Sequence, residues 1–121
     1  MTETISFDES VFRELGDELG AEDTALVLNT FLTDTANRLL RLEADGQVRS
    51  AIQREAHSIK SSAATFGFER LSQVARDLEA GAEAMPQAAL RESIRELRRA
   101  FEATRAFAQD KLLNTVSGAA A

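Results

Sequence analysis

Residues 86–108 read PQAALRESIRELRRAFEATRAFA, and their spacing decides the fold class. Leu90, Ile94, Leu97, Phe101, Thr104 and Ala108 recur at intervals of four and three. That period keeps one seam of an α-helix inward in a bundle. Pro86 suits a first helical turn, where its missing N–H is not needed. Between the seam positions, Arg91, Arg95, Arg98, Arg99 and Arg105 alternate with Glu92, Glu96 and Glu102, and their i,i+4 relations describe a solvated, salt-bridged face.

Upstream, Ala, Leu, Glu and Arg dominate, alternation is absent and strand signals are weak. A fourth helix is expected from about Phe68 to Ala84, carrying Leu71, Val74, Leu78 and Met85 on its apolar side. A third runs from about Val48 to Phe66 and stops at Gly67. A second, from about Ala21 to Asp45, turns Val27, Phe31, Leu39 and Leu42 inward and stops at Gly46. A short first helix from about Asp8 to Leu19 has Phe7, Val11, Phe12, Leu15 and Leu19 as its stripe. Ser6 with Glu9 reads as its capping box and Gly20 as its stop. The last helix is expected to fray near Leu113, leaving 114–121 disordered. The sum is an all-α fold: an antiparallel up-down-up-down four-helix bundle with a short extra N-terminal helix. One domain is expected over 1–121, ordered from about 8 to 113.

The composition narrows the function. With 121 residues, 44% of them hydrophobic, the chain can bury one core. Fourteen basic against twenty acidic residues leave a net charge of −6, a poor basis for binding nucleic acid. There is no Cys and only one His, so thiol chemistry, Cys-ligated zinc and multi-His metal sites are excluded. No Gly-rich phosphate loop, Walker-type lysine motif or carboxylate cluster of metal-site spacing offers a place for ATP or Mg²⁺. Met1–Ser10 has no signal-peptide pattern, and the longest apolar run, Ala25–Leu28, is far below the ~20 residues of a membrane span. A soluble cytoplasmic protein is expected.

The only histidine is placed by angle. At about 100° per residue, Val48, Ile52, Ala56, Ile59, Ala63 and Phe66 fall within about 80° of one another and define the buried stripe of the third helix. His57 lies about 150° from its centre, facing outward among Gln53, Lys60, Ser61 and Ala64. Two readings follow. The residue is an ordinary surface histidine, or it is a nucleophile, with small neighbours leaving room for a partner and Lys60 ready to offset an anionic group.

The segment His57-Ser58-Ile59-Lys60-Ser61-Ser62-Ala63-Ala64-Thr65-Phe66-Gly67 resembles the signature of histidine-phosphotransfer (HPt) domains: His, any residue, an aliphatic, Lys, Gly, Ser, Ser or Ala, then Gly ten residues after the His. Ala56, Leu71, Leu78 and Glu79 also fit the pattern, so the specific motif spans about 25 residues, Ala56 to Glu79. One position departs: Ser61 stands where the family usually has Gly. The hydroxyl adds little bulk and could bond a phosphoryl oxygen, so the departure bears on partner choice or rate more than on the activity itself.

The resemblance implies a carrier between response-regulator receiver domains. His57 would accept a phosphoryl group, through Nε2, from an aspartyl phosphate and pass it to an Asp on another receiver. Lys60 would offset phosphoryl charge. Glu79 would orient the ring through Nδ1–H, with an ordinary surface salt bridge as the alternative, and Arg76 one turn earlier would help hold nearby charge. Mg²⁺ is expected in the partner receiver and no cofactor in this chain, which would be a phosphocarrier, not an autonomous enzyme. A hybrid histidine kinase is a further expected partner; membrane and nucleic acid are not, and the carrier is expected to be monomeric. The chain reads as a free-standing protein, with an excised piece of a hybrid kinase as the alternative. Docking is expected around His57 and on Phe12, Leu15 and Phe68, each of which could instead serve the core. Two other classes compete: a scaffold or inhibitor that binds receiver or kinase without carrying phosphate, and a plain oligomerisation module with a larger exposed apolar stripe.

Overall fold

The computed structural model describes residues 4–113, so the expected tail at 114–121 lies outside the described residues. Five α-helices follow in order: α1 (Glu9–Leu19), α2 (Ala21–Glu43), α3 (Arg49–Phe66), α4 (Glu69–Gly81) and α5 (Gln87–Phe107), the last continuing into a π-helical turn over Ala108–Leu113. The described residues contain no strand; one isolated bridge joins Phe7 to Phe68. α3 packs most extensively against α4, α4 against α5, and α2 against both α3 and α5.

The seam of α5 is buried as its spacing requires: Leu90, Ile94, Leu97, Phe101, Thr104 and Ala108 all face the core, joined by Ala100. Their partners are Leu28, Phe31, Leu32, Leu39 and Leu42 of α2, Ile52, Ala56, Ile59, Ala63 and Phe66 of α3, and Leu71, Val74, Ala75 and Leu78 of α4. Val27 was expected inside but is exposed, and Leu28 takes its place, because the stripe of α2 runs through Thr24, Leu28, Phe31 and Thr35. Val48 is 62% exposed: it is the extended N-cap residue of α3, and helical angles do not apply outside the helix. α4 ends at Gly81, earlier than expected, because the Gly81 carbonyl accepts turn bonds from the N–H groups of Ala84 and Met85. Pro86 caps α5 in extended conformation and supplies the carbonyl for the Leu90 N–H, instead of opening the helix itself.

The entry into α1 also differs. The cap is Asp8, whose carboxylate accepts from the Ser10 and Val11 N–H groups. Ser6 sits at φ +47° and gives its carbonyl to the Glu69 N–H, so it makes no capping box with Glu9. The Arg70 N–H bonds to the Ile5 carbonyl and the Asp8 N–H to that of Gly67, which lays the N-terminal segment along the α3–α4 turn. Gly67 is essential to this arrangement. It is left-handed at φ +84°, and a Cβ there would stand 2.5 Å from the Asp8 carbonyl oxygen.

Phe68 is the clearest correction. Expected at a docking surface, it is fully buried, stacked on Phe31 and Phe66 with ring centroids 5.7 and 6.2 Å away and touching Phe7 at 5.7 Å. Phe12 and Leu15 are partly buried against the same core and keep some exposed surface. Four of the five arginines on the outer face of α5, Arg95, Arg98, Arg99 and Arg105, are paired, though not only at the expected spacing. Arg95 and Arg99 meet Glu92, Arg98 meets Glu102 and also Glu43 of α2 at 2.7 Å, and Glu96 reaches Arg70 of α4.

Candidate functional site

The middle of α3 faces α4 across a narrow strip of surface. Ile52, Ala56, Ile59 and Ala63 anchor α3 in the core, which rotates His57 to the outside with 59% of its side chain exposed. Val74, Ala75 and Leu78 anchor α4, which brings Glu79 to the edge of the interface facing α3.

There the three charged or polar groups meet. Glu79 Oε2 lies 2.6 Å from His57 Nδ1, and Glu79 Oε1 accepts from Lys60 Nζ at 2.7 Å. One carboxylate therefore bridges two residues that stand three apart on α3. The Lys60 ammonium and, after it, the imidazole hold the Glu79 carboxyl below its ordinary value of 4.5. Near neutral pH the carboxylate is ionised and can only accept, so the proton of this hydrogen bond belongs to Nδ1. A neutral ring held this way carries its lone pair on Nε2, on the exposed side of the helix.

The depressed pKa has a pH consequence. The interactions of Glu79 stabilise the fold in full above 4.5 and lose that contribution as the pH falls through the lower folded value. Glu79→Gln is expected to melt below the wild type at pH 7, with a narrower gap at pH 3. Thermal melts of both proteins at the two pH values check this; a gap undiminished at pH 3 would contradict it.

The other residues singled out from the sequence fall into two groups. Ser61 and Ala64 are exposed one and two turns beyond His57, leaving its outer side uncrowded. Gly67 ends α3. Gln53, one turn before His57, donates its carboxamide N–H to the Glu79 main-chain carbonyl at 3.2 Å. Arg76 does not join them. Both Glu79 oxygens are engaged by Lys60 and His57, and Arg76 is exposed beside a shallow groove with Ala64, Ser72 and Gln73, with no ion pair among the described residues. A contact that sequence reasoning missed is that of Ser72, whose hydroxyl donates to the Lys60 carbonyl at 3.0 Å. A serine inside the apolar stripe of α4, between Leu71 and Ala75, was the available signal.

Among the described residues no three His, Cys, Asp or Glu side chains gather as a metal site, and no helix is long and apolar enough to cross a membrane. The family model for the Hpt domain matches residues 26–107, from α2 to the end of α5, leaving α1 outside the matched span. No curated protein and no solved structure matches the chain.

Proposed function

The chain belongs to the Hpt domain family, whose members are phosphocarrier modules of two-component phosphorelays, and on that premise we propose that His57 Nε2 takes a phosphoryl group from the aspartyl phosphate of one receiver domain and delivers it to an Asp of another. The observation that carries the reading is the hydrogen bond between Glu79 and Nδ1, which fixes the tautomer so that the neutral ring presents its lone pair on Nε2, on an exposed face.

The lone pair of Nε2 attacks the phosphorus in line. The N–P bond forms as the aspartyl O–P bond breaks, and the released electron pair returns to the receiver's carboxylate. The ring keeps its Nδ1 proton and so becomes a cationic phosphoimidazolium, whose positive charge faces the Glu79 carboxylate. Lys60, with three N–H donors on one ammonium, can hold Glu79 and turn another proton toward a phosphoryl oxygen. Phosphoryl transfer depends chiefly on positioning and charge. The receiver brings the acidic pocket and its Mg²⁺; this chain brings nucleophile, cation and docking face, with no cofactor of its own.

The four long helices act as an antiparallel up-down-up-down frame in a single domain. Docking falls on the His57 face with Ser61 and Ala64, and on the exposed parts of Phe12 and Leu15. Receiver domains and a hybrid histidine kinase are the partners, the carrier works as a monomer, and the relay is cytoplasmic. The test is transfer from a panel of phosphorylated, radiolabelled receiver domains. At least one is expected to pass its label to the chain within minutes and a second to discharge it. Receivers that bind without transferring label would contradict the relay and leave a scaffold.

A further inference from the structure

Glu79 stands in the last turn of α4, where carbonyl groups run out of helical donors. Neighbouring carbonyls find main-chain partners: that of Leu78 accepts from the Ala82 N–H at 2.9 Å, and that of Gly81 from Ala84 and Met85. Among the described residues no main-chain N–H outside the helices reaches the Glu79 carbonyl; the donor there is the Gln53 carboxamide of α3. Helix α3 thus grips one residue of α4 three times: at the main chain through Gln53, and at the carboxylate through His57 and Lys60. The main-chain bond matters most for geometry. A glutamate side chain has several rotatable bonds, and its carboxylate stays on Nδ1 only if its Cα is held at a fixed distance from α3. The Ser72 hydroxyl, bonded to the Lys60 carbonyl about two turns earlier in α4, makes a second cross-link on the other side of Glu79.

We infer that Gln53 is a positioning residue, which closes the orphan carbonyl of Glu79 and so sets the α3–α4 register that keeps the carboxylate on Nδ1 and the Nε2 lone pair outward. Its bearing on transfer rests on His57 being the phosphoacceptor; its bearing on the ring does not. Gln53→Met keeps length and helix preference but removes the donor. Gln53→Glu sets an acceptor oxygen against a carbonyl.

The experiment records ¹⁵N spectra of the His57 imidazole in the full chain, at a pH where the ring is neutral, beside initial rates of phosphoryl acceptance. The wild type is expected to show the Nδ1–H tautomer. Gln53→Met should show a mixture of tautomers and accept about fivefold more slowly, the equivalent of one lost hydrogen bond, and Gln53→Glu more slowly still. An unchanged tautomer and rate in Gln53→Met would overturn the inference and leave Gln53 a packing residue; should Gln53→Glu fail to fold, Gln53→Met alone decides. The spectra need no phosphoryl donor. A wild type that takes no label therefore counts against the phosphoacceptor reading alone, while the tautomers still decide the role of Gln53.

Discussion

His57→Gln is expected to abolish phosphoryl acceptance, a loss of more than about a thousandfold to background, while its melting temperature stays within about 2 °C of the wild type. Glutamine offers a carboxamide of similar reach but no basic nitrogen, and no other histidine exists in the chain to take over. The side chain is mostly exposed, and Lys60 still pairs with Glu79 after the substitution, so neither core nor interface loses a buried contact. The measurement sets label transfer beside thermal melts of both proteins. Label retained by His57→Gln would move the phosphoacceptor elsewhere; a collapse in stability would make His57 a structural residue.

Phe68→Ala is expected to destabilise the fold by about 3–5 kcal/mol, the usual cost of emptying a buried phenylalanine site. For a chain of this length the melting temperature should fall by roughly 10–20 °C. The ring is fully buried at the junction of α3 and α4 and contacts Phe7, Phe31 and Phe66. Its main chain supports the same junction, accepting the Ser72 N–H and donating to the Ala63 carbonyl. Below its lowered melting point the variant should still accept phosphate, since the ring offers nothing to a partner. Unchanged melting together with lost receiver binding would return Phe68 to the docking surface.

These two residues also mark how far the sequence could be read. His57 lies within a long periodic helix, where about 100° per residue assigns each side chain a face, and its outward direction follows from the five apolar positions Ile52, Ala56, Ile59, Ala63 and Phe66. Phe68 falls between two helices, where no such angle exists, and its burial depends on how α3 and α4 cross. The pairing of residues 5–8 with the α3–α4 turn was equally hidden. It consists of main-chain bonds between segments about sixty residues apart, with no local pattern to announce them. Ser6 shows the cost of trusting a local motif there: its spacing to Glu9 suits a capping box, but its carbonyl is committed to Glu69 and Asp8 takes the cap.

Glu79 is a mixed case. Family resemblance, and no periodicity, pointed to the position 22 residues beyond the histidine. Its carboxylate meets Nδ1 only once α3 and α4 lie side by side, which no local pattern in either helix announces. That Lys60 shares the same carboxylate, and that Gln53 holds the main chain beneath it, follows only from three-dimensional proximity.

The relay turns on one atom, Nε2 of His57, and the position of the phosphoryl group on the loaded protein identifies it. The chain phosphorylated by a cognate receiver would be mapped by mass spectrometry and by ³¹P and ¹⁵N NMR of the intact domain. A single acid-labile, base-stable phosphoryl group on Nε2 of His57, with Nδ1 still protonated, is the predicted result. A phosphoryl group on Nδ1, or on any residue other than His57, would contradict it.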